Sequence, residues 1–379
     1  MIEGTGIQSQ ENVSEHAIER LNQQRQRFSQ SKTTALSSYL ERDRKTAPTD
    51  RLLILNGAAD AYQSGDESMP LHLAHLLLPE QARSLCRCGG YWLQIGGKGI
   101  AINPGTWFLE RFHRAGFHIW DIDHVIVTDG DNACSAELGQ IWEFNHQINT
   151  LMKKWELAPH IISYHLHPRA YQEHSRHLRP NFRQEVGSLH RLDTFADTAD
   201  FESFSLSENV KLEFYPSTSE PLSPLMIRLR LLDQDEEINS VGYLSNTPWD
   251  ERQTSFLSCC QTVVLGVGKA SFEENNPSLG CLGVVNILNS TPHPRLAILA
   301  EHDFSEGDTR IEATHYAREE LSELPITLLP AEENTLVHLD AFQIKTPDLI
   351  RPIAASSVRT TRSQGAFSRL HFLDVHTIA

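Results

Sequence analysis

The sequence predicts a layered α/β protein, because apolar runs of strand length alternate with both a tight turn and long amphipathic segments. A Gly-Gly-Lys connection at 96–98 separates two such runs, at 91–95 and 99–103, and therefore predicts a β-hairpin. A buried strand at 122–128 is followed by an Asp-Gly-Asp-Asn loop and a helix from about Ser135, which together form a strand–loop–helix unit. Both patterns point to sheets covered by helices.

The remaining elements follow from local patterns. Residues 10–48 are rich in Glu, Gln, Arg and Ser with thinly spaced apolar residues, which predicts one or two surface helices in an N-terminal extension. The apolar spacing from Trp107 to Phe117 predicts a helix, with Gly116 near its end. The polar stretch at 172–207 is interpreted as an insertion or irregular connector. Further strands are predicted at 160–164, 211–215, 226–232, 239–244, 262–267 and 295–300.

Charge limits the classes of partner. The 379 residues include 33 Lys and Arg against 49 Asp and Glu, a formal net charge of -16, which disfavours broad nucleic-acid binding. A small anionic ligand in a local pocket and a basic protein partner both remain compatible with this charge. Without an apolar run near the roughly 18 residues of a membrane span, and with a polar N-terminus, the expected location is the cytoplasm.

Cysteines and histidines do not form a familiar metal motif. The six cysteines contain no pair of CxxC motifs, so we expect buried thiols rather than disulfides, and core packing for the adjacent Cys259 and Cys260. Among the 19 histidines, the pair His72 and His75 is interpreted as the edge of an apolar face. The pair His165 and His167 is interpreted as hydrogen-bonded or solvent-facing rather than as metal ligands.

Four segments between residues 89 and 345 occur in the same order as four motifs of a known fold family. They read GIAINPG at 99–105, VIVTDGDNAC at 125–134, VGYLSNT at 241–247 and SLGCLG at 278–283. In this order they resemble the metallo-β-lactamase fold, whose segments there carry Asp-Pro-Gly, THxHxDH, Gly-Tyr-(Ser/Thr)-x-Asp-Thr and HLGxxG. The resemblance implies a four-layer αββα sandwich with a pocket at the loops along one edge of the two sheets. The composition of residues 10–48 adds an N-terminal helical extension to this fold class.

The resemblance also implies that the metal-binding side chains have been replaced. Aspartates and a cysteine stand where the family has histidines, Ala133 stands for its metal-binding aspartate, and 216–224 contains no histidine to match another ligand. Glu301 does resemble an acid that some relatives carry. The positions that line this degenerate pocket are Asn103, Asp129, Asp131, Cys134, Asn246, Ser278 and Glu301.

A hydrolytic zinc site needs three or four ligands and one open position for water. Loss of all the histidines together therefore implies a catalytically inactive protein, without catalytic residues, metal or cofactor, that acts by binding. The resemblance extends to metallo-β-lactamase-like subunits of bacterial anti-phage systems. It implies a scaffold or sensor whose protein partner is the product of a neighbouring gene, with a homodimer as a further option.

An enzymatic alternative stays open. Asp129, Asp131 and Glu301 would hold Mn²⁺, Mg²⁺ or Zn²⁺ in a metal-dependent phosphodiesterase or nuclease. Against it, Cys134 is a poor ligand for hard cations and Asn246 cannot bridge two of them as a carboxylate does. The Asp-Gly-Asp-Asn loop is also ordinary turn chemistry.

The predicted domain organisation has three parts. An N-terminal helical extension covers 1–50, the metallo-β-lactamase-like domain covers 51–345, and a C-terminal basic tail covers 346–379. The tail carries arginines and no acid between 351 and 371, so it would either contact an anion or acidic partner or be loosely ordered. The arginines concerned are Arg351, Arg359, Arg362 and Arg369.

Overall fold

In the computed structural model, the strands form two mixed sheets that pack face to face. Residues 17–28 are helical and exposed. The structure describes residues 17–28, 30, 31, 34, 50–55, 90–154, 156–176, 187–194, 201–220, 222–234, 236–271, 277–290, 292–302, 309–339 and 343–345.

Within the described residues, the first sheet has eight strands in the order β15-β14-β1-β2-β3-β4-β5-β6. Strands β3 to β6 run parallel, whereas β1, β2, β3, β14 and β15 pair antiparallel with their neighbours. Near the end of the sheet, β14 pairs with β1, so the first and the second-last of the described strands are neighbours. The bounds are β1 Arg51–Ile54, β2 Tyr91–Ile95, β3 Lys98–Ile102, β4 His124–Val127, β5 Ser163–Leu166, β6 Leu189–Arg191, β14 Thr335–His338 and β15 Gln343–Lys345.

In the part of the chain that the structure describes, the second sheet has seven strands in the order β13-β12-β11-β10-β9-β8-β7. Strands β10 to β13 are parallel and the β7-β8-β9-β10 portion is antiparallel. The bounds are β7 Glu202–Ser205, β8 Val210–Pro216, β9 Leu225–Asp233, β10 Glu236–Leu244, β11 Thr262–Gly268, β12 Leu296–His302 and β13 Thr327–Pro330.

Helices cover the outer face of each sheet. Three pack on the first sheet: α1 Phe108–Arg114, α2 Leu138–Lys154 and α3 Pro168–His174. Three pack on the second sheet: α4 Glu251–Leu257, α5 Gly280–Leu288 and α6 Arg310–Glu320. One apolar cluster fills the space between the sheets, and a separate cluster lies under each helical layer. The predicted four-layer αββα sandwich is therefore confirmed.

Side chains alternate in direction along each strand, so the first sheet contributes to two apolar clusters, one on each of its faces. In β2, Tyr91 and Leu93 point into the space between the sheets, whereas Trp92 packs against Phe112 beneath the helices. In β4, Ile126 faces inward and Val125 faces the helices. Because successive side chains point to opposite faces, strands that are buried on both sides read as continuous apolar runs.

The hairpin, the strand–loop–helix unit and the later long strands lie where the sequence predicts them. The interpretation of 172–207 as an irregular connector is wrong, because β6, β7 and the end of α3 fall within it. These elements are short and lie at the edges of the sheets, so their apolar pattern is weak. Trp107 precedes α1 in a left-handed conformation and is 53% exposed, so the predicted helix begins after it, at Phe108.

The cysteine prediction holds for three of the described thiols and fails for one. Cys134, Cys260 and Cys281 are buried and free, whereas Cys259 is exposed, which corrects its assignment to the core. His72, His75 and the arginines of the C-terminal tail lie outside the described residues. In the described parts of the chain, helices long and apolar enough to cross a bilayer do not occur.

Candidate functional site

Polar side chains from both sheets meet where the parallel strands end. Asn103 directly follows β3, Thr128 follows β4 and Ser245 follows β10. Glu301 is the penultimate residue of β12. In open α/β sheets the carboxyl ends of parallel strands are the usual position of a functional site. The predicted pocket positions are thus brought to one edge of the sandwich.

Asn103 joins the two sheets by hydrogen bonds. Its side-chain oxygen accepts from the Thr128 N–H at 2.8 Å, and its amide nitrogen donates to the Thr128 hydroxyl at 2.8 Å. The same amide donates to the Tyr243 hydroxyl, at 2.8 Å, on the opposite sheet. Asn103 is buried with a φ of 48°, a conformation that asparagine adopts more readily than most residues. These bonds stabilise the strained turn that ends β3.

Glu301 is the acceptor at the other end of this network. Its carboxylate accepts from the Tyr243 hydroxyl, from the Ser245 hydroxyl at 3.0 Å and from the Asn246 backbone N–H at 2.9 Å. Burial raises the pKa of Glu301 above its usual value, and these hydrogen bonds oppose the shift. Burial and the adjacent carboxylate likewise raise the pKa of Tyr243, which keeps its hydroxyl protonated as the donor.

Glu301 also has a positive φ, of 51°. A left-handed conformation is unfavourable for a glutamate and persists only where surrounding contacts fix it. Asn103 and Glu301 thus carry backbone strain at the ends of two strands that face each other across the network. Strain of this kind is typical of functional sites, which supports the assignment of this edge as the candidate site.

Asp129 and Asp131 lie in the loop after β4. The Asp129 carboxylate accepts from the Asp131 N–H at 3.3 Å, and the Asp131 carboxylate accepts from the Ala133 N–H at 3.0 Å. Burial raises the pKa of Asp129, while nearby His167 lowers it. Asp131 is exposed and Cys134 is buried. The loop is therefore built as a pair of short Asp turns, which is the turn chemistry that the sequence pattern also allows.

Asn246 and Ser278 approach each other at Gly268. Gly268 has a φ of 65°, and a Cβ placed there would lie 2.5 Å from the Ser278 hydroxyl and would overlap the Asn246 side-chain oxygen. That oxygen is buried and, among the described residues, has no hydrogen-bond partner. A glycine is thus required here, and it leaves an acceptor that a bound group would satisfy.

These residues do not fit a hydrolytic metal centre. Glu301 is already surrounded by three donors of the protein, and the Asp129 and Asp131 carboxylates each accept from their own loop. Asn246 and Ser278 are neutral. Over the described parts of the chain, groups of three or more His, Cys, Asp or Glu side chains that would hold a metal ion do not occur.

Three exposed apolar side chains lie in loops that follow strands at this edge. Trp107 lies in the connection after β3, Leu222 lies between β8 and β9, and Trp249 lies after β10. Their exposed fractions are 53%, 50% and 44%, and we call these three residues the apolar rim. Exposed large apolar side chains in the loops at one edge of a fold are typical of a surface that contacts another molecule.

Sequence reasoning missed several members of the network. Thr128, Tyr243 and Ser245 lie within the segments that carry the fold resemblance, where they were read only as scaffold. For His167 the sequence predicts a hydrogen-bonded or solvent-facing side chain. It is buried, accepts from the Arg169 N–H at 3.3 Å and contacts the Ser223 carbonyl at 3.2 Å. The available signal was Tyr243, two residues before Ser245, at the end of an apolar strand pattern.

The fold and the position of this edge define a metallo-β-lactamase-fold protein. The chain superimposes on the metallo-beta-lactamase fold protein YhfI from Bacillus subtilis with a TM-score of 0.51 and 11% identity, over 76% of this chain and 98% of that one.

Two further solved structures have lower TM-scores to this chain. Human tRNase Z, short form, matches with a TM-score of 0.43 and 9% identity, over 76% of this chain and 99% of that one. The isothiocyanate hydrolase from Delia radicum gut bacteria matches with a TM-score of 0.43 and 13% sequence identity, over 65% of this chain and 95% of that one. No protein-family model matches the sequence, and no curated protein matches it.

Proposed function

We propose that this protein acts by binding, as a catalytically inactive metallo-β-lactamase-fold protein whose pocket edge contacts a protein partner. The observation that carries the proposal is the Asn103–Tyr243–Glu301 network, which fills the edge with hydrogen bonds between protein groups. A catalytic metal would need these oxygens as ligands, and freeing them would leave three buried donors unsatisfied.

The apolar rim and the charge of the site specify the partner. Trp107, Leu222 and Trp249 offer apolar contact area, and aromatic side chains of this kind often dominate binding energy at interfaces. Asp129 and the exposed Asp131 lie at the same edge of a chain with net charge -16. We therefore expect a partner segment that combines apolar and basic side chains. A second copy would bring the same acidic groups, so this edge does not favour the homodimer.

The sequence resemblance adds a biological setting to this proposal. The partner would be the product of a neighbouring gene, within a bacterial anti-phage system, and the present protein would act there as scaffold or sensor. Loss of the gene should then lower phage resistance in the host. Unchanged resistance would remove the defence role and would leave the binding role to be tested separately.

Metal content tests the inactive state of the pocket. Tag-free protein, incubated with Zn²⁺, Mn²⁺ or Mg²⁺ and then freed of unbound ions by gel filtration, should contain well below about one metal ion per chain, because the carboxylates at the edge are already hydrogen-bonded. Elemental analysis makes the measurement. Stoichiometric metal that is lost in Asp129→Ala or Glu301→Gln, together with metal-dependent cleavage of a phosphodiester, would establish the enzymatic alternative instead.

The apolar rim is tested by complex formation. Full-length protein mixed with the purified product of each flanking gene should form a complex of defined mass with one of them by light scattering. The double change Trp107→Ala and Trp249→Ala should weaken this complex by at least about tenfold, since central aromatic residues typically each contribute more than about 1 kcal/mol.

The matched control is Ile238→Ala, because Ile238 is equally exposed but lies near the opposite end of β10 from Asn246. This variant should bind as the parent does. The proposal is wrong if no flanking product binds, or if the rim variant binds normally. A homodimer of the parent that becomes monomeric in the rim variant would make a second copy the occupant and would exclude the basic partner.

A further inference from the structure

A second polar cluster lies on the outer face of the second sheet, on strands β8 and β9. Glu213 of β8 accepts from Arg228 Nε at 2.7 Å and from Arg230 at 2.9 Å, both on β9. Lys211 approaches the same carboxylate at 3.6 Å, and Arg230 pairs with Glu237 at 2.5 Å. The cluster thus combines three cations with two carboxylates, which leaves one positive charge.

Arg228 is held in one orientation. Its guanidinium lies 5.8 Å from the Phe201 ring centroid and 5.6 Å from that of Phe256, and both Nε and Nη2 contact Glu213. The residue is only 8% exposed. A guanidinium fixed between two rings and a buried carboxylate presents its remaining nitrogen, Nη1, at a defined position.

That nitrogen contacts the sulfur of Cys259. Cys259 follows α4, is exposed, and lies next to the buried Cys260. A hydrogen bond from Cys260 and the charge of Arg228 lower the pKa of Cys259 to about 6, although partial burial opposes the shift. An anionic sulfur here balances the excess positive charge of the cluster.

We propose that Cys259 is a site of reversible S-thiolation, at which its exposed sulfur, held against Arg228, reacts with low-molecular-weight disulfides such as oxidised glutathione. The Cys259 thiolate attacks one sulfur of the disulfide, a new S–S bond forms and the original S–S bond breaks. The second glutathione leaves as a thiolate with the bonding electron pair. The Cys259 sulfur is thereby oxidised and the departing sulfur is reduced.

The adduct is expected to persist as a mixed disulfide. Burial raises the pKa of Cys260 well above its usual value, so the thiol remains protonated and is a poor nucleophile toward the new bond. A thiol such as dithiothreitol would restore the free cysteine. The site is independent of the proposed binding role, because its residues lie on the outer face of β8 and β9 and after α4, and none of them belongs to the strand-end network of the pocket.

The experiment measures reaction of the native full-length protein with oxidised glutathione between pH 5 and pH 10. Its reference is a peptide of residues 255–263 with Cys260→Ser, which keeps the local sequence without the cluster. At pH 6.5 Cys259 should react about fivefold faster than the peptide, since its larger thiolate fraction outweighs its lower intrinsic nucleophilicity. At pH 10, where both thiols are ionised, it should react about tenfold more slowly.

Peptide mass spectrometry should place one glutathione per chain on Cys259, and dithiothreitol should remove it. Cys260→Ala should move the midpoint of the pH–rate profile upward, whereas Cys260→Ser, which keeps a donor, should move it less. Cys259→Ser should abolish the adduct. The proposal is overturned if Cys259 shows the pH profile of the peptide, if the adduct forms at another cysteine, or if a disulfide between Cys259 and Cys260 forms instead.

Discussion

Replacing Glu301 by alanine should lower the free energy of unfolding by about 3–5 kcal/mol, the largest loss that we expect from a single site residue. The carboxylate is the shared acceptor for Tyr243, Ser245 and the Asn246 N–H. Each buried donor left without an acceptor costs about 1–3 kcal/mol, with incomplete additivity. Urea denaturation at pH 7.5, followed by far-UV circular dichroism, makes the measurement.

Two variants separate the network from a general effect of removing charge. Glu301→Gln keeps one side-chain oxygen as acceptor and should cost less than Glu301→Ala. Glu323→Ala removes an exposed carboxylate outside the network and should change stability by less than about 0.5 kcal/mol. If Glu301→Ala proves as stable as the parent, the network does not hold the two sheets together at this edge.

Acid should destabilise the fold through three histidines between the sheets, His124, His165 and His190. They lie on β4, β5 and β6, where His165 Nε2 is 3.4 Å from His124 Nδ1 and the His165 ring stacks on His190 with centroids 5.0 Å apart. Phe204 of the other sheet contacts the rings of His165 and His190. Protonation would place positive charges next to one another in an apolar environment.

The direction of the pH dependence follows from the pKa values. Burial lowers the pKa of His124 to about 4, with Asp123 opposing the shift and Lys98 and His190 adding to it, and burial also lowers the pKa of His165 and His190. A histidine that is harder to protonate when folded binds protons preferentially in the unfolded chain below about pH 6.5. Its contribution is complete above that pH and is lost as the pH falls toward about 4.

For His124 alone, this loss is on the order of 3 kcal/mol between pH 7 and pH 4. Urea denaturation at several pH values should therefore show a smaller acid-induced loss in His124→Gln than in the parent. The comparison between variants is needed because the pKa values of Glu301 and Asp129 are raised in the folded protein. Their protonation therefore increases the free energy of unfolding as the pH falls, which opposes the effect of the histidines. His315→Gln, at an exposed position of α6, should behave as the parent; equal acid sensitivity in all three proteins would exclude the histidine cluster as its cause.

The core strands could be predicted because their apolar patterns are local. The β2–β3 hairpin, β4 and α2 each occupy one continuous stretch whose composition fixes its type. Strands β6 and β7 have three and four residues and partly exposed side chains, so the information that makes them strands lies in their neighbours. Short edge strands of this kind are set by pairing rather than by propensity.

The candidate site was predictable in position but not in chemistry. The resemblance located Asn103, Asp129, Asn246 and Glu301 at one edge, where the structure also places them. Their partners were hidden, because the hydrogen bond from Asn103 to Tyr243 joins residues 140 positions apart. The histidines of the inner cluster likewise meet only through the parallel register of three strands.

The pairing of β14 with β1 has a consequence for synthesis on the ribosome. Arg51 emerges early, yet its strand partner around His338 is made only after almost 290 further residues, since 338 minus 51 is 287. Until then one edge of β1 presents unpaired backbone groups, and such edges recruit other chains. The nascent protein should accordingly depend on chaperones for most of its translation, and ribosome-bound chains arrested before β14 should aggregate on release.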